Sequence, residues 1–401
     1  MRVVQFPKGC GHVESGASLV VRSIFVLAIC SSGRVHAQVR QPRCCKALRA
    51  MARVYMACGE LEKARPLAER ALELAGKTAA TDRELSACLI DLACLYKSQG
   101  EFANAEDMCR NGLALQAKVY GEDHPYIAYT LRILSEIYRE QGRFEQGAAT
   151  LRRAIEIMRE NNAEDGPVMA PFKVDMARLL TAQGNFVEAE SYFDEAMVSI
   201  ENSFGPEHLY TAKVRVSIAA MYVEQGRYAE AEELIHDALL VHEKVYGPKH
   251  HELAPLWLVM AKISQAAGEH TDATELLDRA LSVVEDKLAS GHTLGGEIRS
   301  AMGRTYIAQR QYTQAADVLE QAVQILRKSL GDNSDRTAEA LANLAEVYMH
   351  QGKYAEAGML CEQAVGIMEG VFGPDHPKVV AVLRTLTEVR TRAAEFAKAV
   401  R

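Results

Sequence analysis

The sequence lacks the features that mark membrane proteins and nucleic-acid-binding proteins. No apolar run in its 401 residues reaches the roughly 18–20 residues that a membrane-spanning helix needs. The 46 lysines and arginines are outnumbered by 53 aspartates and glutamates, which gives a net charge of −7. Nucleic-acid binding normally needs a basic excess, so this balance argues against such a partner. We therefore expect neither a membrane span nor nucleic-acid binding.

Recognisable catalytic and metal-binding motifs are also missing. The nine cysteines do not follow the spacing of a zinc or haem site, and we interpret them as buried thiols and not as a disulfide framework. The chain has no G-x-S-x-G nucleophile motif, no phosphate-binding glycine loop and no H-E-x-x-H metal motif. The sequence thus predicts a protein that is not an enzyme and that has no cofactor and no metal site.

What the sequence does contain is a 42-residue period. One kind of position is occupied by glycine in each period except one, in which arginine replaces it. These residues are Gly100, Gly142, Gly184, Gly226, Gly268, Arg310 and Gly352. Self-similarity at 20–50 residues is typical of stacked repeat proteins, in which each unit buries its apolar face against its neighbours.

Each period predicts two helices. In the unit from 82 to 123, apolar side chains from Leu85 to Tyr96 recur every three or four residues, which is the spacing of one helix face. A Gln-Gly turn at Gly100 ends this first helix. A second helix follows and ends near Gly121, because glycine adopts the left-handed conformation that stops a helix. We therefore expect a chain of helix pairs without a sheet.

Five histidines lie on the same 42-residue grid, in the links between units. Each belongs to a different link, so the repeats do not bring them together around a metal ion. We interpret them as elements that begin the next helix. They are His124, His208, His250, His292 and His376.

The pattern of small residues resembles the tetratricopeptide repeat, in which a small residue and a tyrosine on the first helix precede an alanine on the second. Ala93, Tyr96 and Ala105 show this pattern. The usual repeat has about 34 residues, and the surplus here lengthens the second helix and the link. With its Phe-Gly-Pro-Asp-His-Pro link at 372–377, the unit resembles the repeats of kinesin light chain and its bacterial relatives. The resemblance covers residues 44–401 and implies an all-α, right-handed superhelical solenoid of tetratricopeptide helix pairs.

Residues 1–43 do not carry the repeat and form a leader. An apolar run over 24–30 is followed by Val35-His36-Ala37, the order of an export signal and its small-residue cleavage site. We favour export or a periplasmic location. The alternative is a disordered leader on a cytosolic protein.

The repeats divide the rest of the chain. We predict a first unit at 44–81, seven 42-residue units over 82–375, and a last unit at 376–401. The last unit is either a capping helix or a truncated repeat. Solenoids need an end helix with one solvated face, which favours the cap.

The resemblance implies that the first helices line a concave groove and that a partner binds there. Five basic residues are expected on this groove. They are Arg132, Arg178, Lys213, Lys262 and Arg304. Asp175 and Asn343 complete the candidate binding set, and Asn343 has the asparagine with which kinesin light chains hold a peptide backbone. The alternative is that these charges are ordinary solvated surface.

The predicted function is that of a non-catalytic protein–protein interaction scaffold. Its concave groove would bind a segment of a protein or peptide partner, and the basic run makes an acidic segment the candidate. The alternative is a ligand-gated or peptide-gated regulatory sensor built on the same repeats.

Overall fold

A computed structural model describes residues 37–57, 60–77, 81–161, 166–288 and 291–400. These residues form seventeen α-helices, one short 3₁₀-helix (His251–Leu253) and no strand. The α-helices are α1 (Ala37–Ala57), α2 (Leu61–Lys77), α3 (Asp82–Ser98), α4 (Phe102–Tyr120), α5 (Pro125–Glu140), α6 (Phe144–Glu160), α7 (Ala170–Ala182), α8 (Phe186–Phe204), α9 (Leu209–Glu224), α10 (Tyr228–Tyr246), α11 (Ala254–Ala267), α12 (His270–Lys287), α13 (Thr293–Ala308), α14 (Tyr312–Leu330), α15 (Asp335–His350), α16 (Tyr354–Phe372) and α17 (Pro377–Val400). None of these helices is both long and apolar enough to cross a membrane.

The helices form antiparallel pairs that stack into a right-handed superhelical solenoid, which confirms the predicted fold class. Odd-numbered helices are the first helices of their units, and even-numbered helices are the second. Fully buried alanines such as Ala93 and Ala105 let paired helices approach closely. Among the described residues, successive first helices contact one another, whereas successive second helices make at most marginal contact. The first helices therefore line the concave side.

The turn inside each unit places its central residue in the left-handed region. Gly100 has φ +77°, and Arg310 has φ +60° at the equivalent position. A side chain with a β-carbon is strained in this conformation, which explains why glycine occupies the other turns. The predicted role of Arg310 as the replacement of a turn glycine is confirmed.

The link histidines begin helices, as predicted. The backbone N–H of Tyr126 donates to Nδ1 of His124 at 3.2 Å. The other four grid histidines accept the same bond from the residue two positions later. Ser334 takes this part at the start of α15, where its hydroxyl accepts from the backbone N–H of Arg336 at 3.3 Å.

The two ends of the solenoid differ from the regular units. Residues 37–43, which belong to the predicted leader, form the start of α1. The export signal otherwise lies outside the described residues and stays a prediction. At the other end, α17 is one continuous helix that includes Ala394, the residue at the turn position.

The described cysteines are mostly buried thiols. Cys45, Cys88, Cys109 and Cys361 are buried and free, as predicted. Cys44 differs from this expectation, since it is disulfide-bonded.

The superhelix closes on itself, which the repeat pattern did not predict. A β-carbon built on Gly100 would lie 2.9 Å from Oγ1 of Thr293, and one built on Gly142 would lie 3.5 Å from Oδ1 of Asp335. A β-carbon on Gly184 would likewise lie 3.6 Å from Nε2 of His376. The turns of three early units therefore face the links of three late units. One superhelical turn takes roughly four and a half 42-residue units.

Apolar side chains pack against one another across this contact between superhelical turns. The ring of Phe372, at the end of a late second helix, lies 5.7 Å from the ring of Phe144, at the start of an early one. Leu330 and Phe102, each 42 residues earlier, share one buried cluster. We call the residues at the ends of the second helices, such as Leu330 and Phe372, knobs. We call the residues that begin the second helices, such as Phe102 and Phe144, sockets. Phe102 and Phe144 are 4% and 5% exposed, so knobs from the second turn contribute to burying sockets of the first.

Candidate binding groove

The five predicted basic residues lie on five consecutive first helices of the concave side. Arg132 is on α5, Arg178 on α7, Lys213 on α9, Lys262 on α11 and Arg304 on α13. The regular stacking of the units explains this, because each repeat returns the same helix face to the groove. Asp175 lies on α7 and Asn343 on α15.

The first part of the groove is a buried charge cluster around Asp175. Nη1 of Arg132 donates to Oδ2 of Asp175 at 2.6 Å, and Nη1 of Arg178 lies 3.3 Å from Oδ1. Arg132 also pairs with Glu136 at 3.0 Å, and Glu136 in turn pairs with Lys97. The Asp175 side chain is only 5% exposed. These charges are thus fixed by one another.

Burial and neighbouring charges shift the two carboxyl pKa values in opposite directions. Burial raises the pKa of Asp175, the nearby Glu136 raises it further, and the two arginines only partly oppose this. Burial would also raise the pKa of Glu136, but Lys97 and Arg132 outweigh it and hold that pKa well below its usual range. Glu136 is therefore the firmly ionised member of the cluster.

The second part of the groove has looser pairs. Nζ of Lys213 lies 3.2 Å from Glu252, and Nζ of Lys262 lies 3.5 Å from Glu224. Nη1 of Arg304 donates to Glu339 at 2.8 Å, and the Glu339 side chain is 44% exposed. Solvent reaches both members of these pairs.

A third cluster lies where the superhelical turns meet. Nη1 of Arg336 donates to Glu140 at 2.6 Å, across 196 residues of sequence, and to Glu297 at 2.7 Å. Burial opposes the ionisation of Glu140, but Arg139 and Arg336 outweigh it and lower its pKa to about 2. The contact between turns therefore contains an ionised, partly buried ion pair.

The remaining polar contacts also engage candidate residues. The Asn343 side-chain amide donates to Oγ of Ser300 at 3.4 Å. Nη2 of Arg178 donates to Oγ of Ser217 at 2.7 Å. These bonds connect neighbouring first helices, so the candidate residues hold the groove together as well as lining it.

The basic residues of the groove were expected from the sequence, but most of their carboxylate partners were not. Asp175 lies one period plus one residue after Arg132, so the period itself contains the signal for this pair. Glu252 and Glu339 lie 39 and 35 residues after their partners, and Glu224 lies 38 residues before its partner, so these pairs join neighbouring units at separations that differ from one period.

Metal binding has no support in the described part of the chain. There, no three His, Cys, Asp or Glu side chains gather as a metal site would require. The link histidines use Nδ1 to cap helices and lie in separate links.

Comparison with protein families matches nearly the whole repeat region. The MalT-like TPR region matches residues 44–238, and the tetratricopeptide repeat model matches 210–286, 252–328, 295–348 and 336–401. The chain belongs to the tetratricopeptide-repeat family. Its 42-residue unit is the kinesin-light-chain-like form of the tetratricopeptide repeat (TPR). A comparison with curated proteins finds no match.

Solved structures share the fold of this TPR protein at low sequence identity. The Rap protein complexed with Competence and Sporulation Factor has a TM-score of 0.57 and 13% identity, and the match covers 88% of this chain and 99% of that one. The apo quorum sensor NprR from B. thuringiensis has a TM-score of 0.56 and 14% identity, with 89% and 95% covered. BtubC from P. vanneervenii has 21% identity and a TM-score of 0.41, with 61% and 92% covered. These similarities concern the fold alone.

Proposed function

We propose that this TPR protein is a non-catalytic protein-interaction scaffold whose concave groove binds an acidic segment of a partner protein. The proposal is supported by five basic residues that lie on five consecutive first helices, the helices that line the concave side. TPR solenoids with the same fold include the Rap protein complexed with Competence and Sporulation Factor. Extended grooves of this kind provide a long contact surface for a single segment.

The groove charges divide into fixed and exchangeable pairs. Asp175 holds Arg132 and Arg178, and its side chain is 5% exposed, so a partner carboxylate has no access to replace it. Glu339 is 44% exposed beside Arg304. The pairs of Lys213 and Lys262 are similarly open to water.

Energetics favour exchange at the open pairs. A solvent-exposed ion pair contributes only about 0–1 kcal/mol, so a partner carboxylate can replace Glu339 at little cost. Breaking a buried pair costs about 3–5 kcal/mol, which protects the Asp175 cluster. We therefore place the acidic segment along α9, α11 and α13, with Lys213, Lys262 and Arg304 as its contacts.

A pull-down with the full chain as bait, from the organism that encodes it, tests this proposal. The partner recovered should bind less tightly to the double variant Lys262→Gln and Arg304→Gln, and raising the salt concentration should weaken wild-type binding more than variant binding. Arg279→Gln is the matched control, because Arg279 is an exposed arginine on the second helix α12, where it pairs with Glu275. Equal binding by the double variant and wild type would place the interaction outside these residues.

A second candidate is a ligand-gated sensor, which the contact between superhelical turns favours. A ligand that binds an open arrangement of this contact better than the closed one would shift the balance between them. Small-angle X-ray scattering separates the candidates. A small molecule or peptide that changes the radius of gyration without a protein partner supports the sensor, and an unchanged radius with a stable protein partner supports the scaffold.

A further inference from the structure

The contact between superhelical turns uses only part of the surface that the repeats provide for it. Turns at Gly100, Gly142 and Gly184 are covered by late links. The early links and the late turns are left uncovered by the residues that the structure describes. We call them the link edge, which includes Tyr126, Val168, Phe204 and Tyr210, and the turn edge, which includes Tyr228, Ala266 and Ala308.

The link edge exposes large apolar side chains at the repeat spacing. Tyr126, Val168 and Tyr210 are 42 residues apart, and they are 47%, 47% and 54% exposed. In the second superhelical turn, the equivalent position holds Arg336, which contacts Glu140 of the first turn. Tyr126, Val168 and Tyr210 are thus exposed at a repeat position whose equivalent residue in the second superhelical turn, Arg336, contacts the first turn.

Phe204, which lies at the knob position of this edge, is exposed as well. Phe204 is 46% exposed, whereas Leu330, which lies at the same position of a late unit, is 8% exposed. The Phe204 ring stacks only on its own link, with the His208 ring at 4.8 Å and the Tyr210 ring at 5.8 Å. The link edge therefore has apolar side chains at the positions used by the internal contact, but on this edge they are exposed.

The turn edge carries the matching sockets. Tyr228 lies at the socket position and is 39% exposed, in contrast to 4% for Phe102 and 5% for Phe144. A β-carbon built on Gly226 or on Gly352 would meet no atom within 4 Å. At the position of Glu140, this edge has Glu224 beside Tyr228 and the exposed small residues Ala266 and Ala308 in the next two units. An apolar side chain can lie on these alanines.

We propose that a second copy of this chain docks head to tail, with the link edge of one copy on the turn edge of the next. Both edges step at 42 residues because the repeats set the step, so their features stay in register over several units. The internal contact between superhelical turns is the template, and the contact between copies continues it. Apolar side chains of the link edge meet Ala266 and Ala308 at positions where the internal contact has the Arg336–Glu140 pair.

The symmetry of this contact has a direct consequence for assembly. The two edges are different surfaces, so the contact is heterologous, and each pair of bound copies leaves one edge of each kind free. Copies therefore add one after another into open chains and do not stop at a dimer.

Sedimentation velocity on the full chain, up to about 100 μM, tests the proposal. We expect the wild type to form species larger than a dimer as concentration rises, and we expect Phe204→Glu and Tyr228→Glu to be monomers at every concentration. Val198→Glu is the matched control and should associate like the wild type. Val198 is 61% exposed in the middle of α8, away from the two ends that form the edges. Unchanged circular dichroism shows that each variant is folded.

Mixing the two edge variants provides the sharper test. Phe204→Glu retains its turn edge and Tyr228→Glu retains its link edge, so the mixture should form one-to-one dimers that grow no further. A wild type that stays monomeric over the whole concentration range would overturn the proposal. So would a symmetric dimer that both variants still form, or a mixture that remains monomeric.

Discussion

Gly303 provides a sharp test of how the paired helices pack. It occupies the small-residue position of α13, where most other units have alanine. A β-carbon built on Gly303 would lie 2.4 Å from Cγ, 2.6 Å from Cδ2 and 2.8 Å from Cδ1 of Leu319 on α14. Leu319 is fully buried. We therefore expect Gly303→Ala to destabilise the protein, although alanine is the common residue at this position.

The magnitude follows from two opposing terms. Replacing glycine with alanine inside a helix gains about 1 kcal/mol of helix propensity. Forcing an additional methyl group into a packed core costs about 1–3 kcal/mol. The overlap involves three atoms of one rigid side chain, so the upper part of this range applies, and the net loss of stability should be about 1–2 kcal/mol.

The remaining units suggest the compensating change. Ala93 faces Cys109 and Ala345 faces Cys361, with all four side chains fully buried. Leu319→Cys alone should cost about 2–4 kcal/mol, because it leaves a cavity. In the double variant the new methyl group fills part of that cavity, so the two changes together should cost less than their sum, with a coupling of about 1–2 kcal/mol.

Gly358→Ala is the matched control, since Gly358 lies inside α16 and a β-carbon there would meet nothing within 4 Å. It should stabilise the chain by about 0.5–1 kcal/mol. Amide hydrogen exchange in α13 and α14, together with the midpoint of urea unfolding, reports the changes. A stabilising Gly303→Ala, or additive effects in the double variant, would falsify the close approach of Leu319.

Four further outcomes are expected. Arg310→Gly should stabilise the chain by up to about 1 kcal/mol, since glycine tolerates the left-handed conformation of this turn, and a lower thermal midpoint would contradict this. Arg336→Met should destabilise the protein by about 2 kcal/mol, because Glu140 and Glu297 lose their shared cation while water still screens part of their charge. It should also increase the radius of gyration. An unchanged radius would show that the Arg336–Glu140 pair does not hold the superhelical turns together. Acid should act in the same direction: the pKa of Glu140 is about 2 in the folded chain and about 4.3 in an unfolded one, so its contribution is complete above pH 4.3 and is lost as the pH falls toward 2. A scattering titration over this range should show wild-type expansion that Glu140→Gln lacks. Deleting residues 209–250 should leave a folded superhelix in which Lys378 replaces Arg336 opposite Glu140, with unchanged helicity per residue by circular dichroism.

The local structure of this protein could be predicted from its sequence because every unit repeats the same short-range signals. The left-handed turn at Arg310 was expected from its phase in the glycine series, although arginine rarely adopts this conformation. The capping histidines were expected for the same reason, since a residue that recurs in every link belongs to the helix start. Each of these features depends on residues within a few positions of one another.

The contacts between superhelical turns could not be predicted in this way. Glu140 and Arg336 meet because small rotations between neighbouring units add up over more than four of them, and no pairwise pattern records that sum. A different limit applies to the groove, where Arg304 meets Glu339 of the next unit at a separation of 35 residues, which is not a multiple of the period. The Arg132–Asp175 pair is the exception. Its two residues are about one period apart, so the repeat itself predicts that they lie on neighbouring first helices at similar positions.

The closed superhelix also has a consequence for the order of events during synthesis. The knobs Leu330 and Phe372 are made roughly 230 residues after the sockets Phe102 and Phe144. At about 5–20 residues per second, the early units wait roughly 10–45 s before the late links emerge from the ribosome. During this interval the early sockets lack the apolar partners that complete their burial. The nascent chain is therefore most prone to aggregate, and most in need of a chaperone, when its first units have folded and its last units are still untranslated.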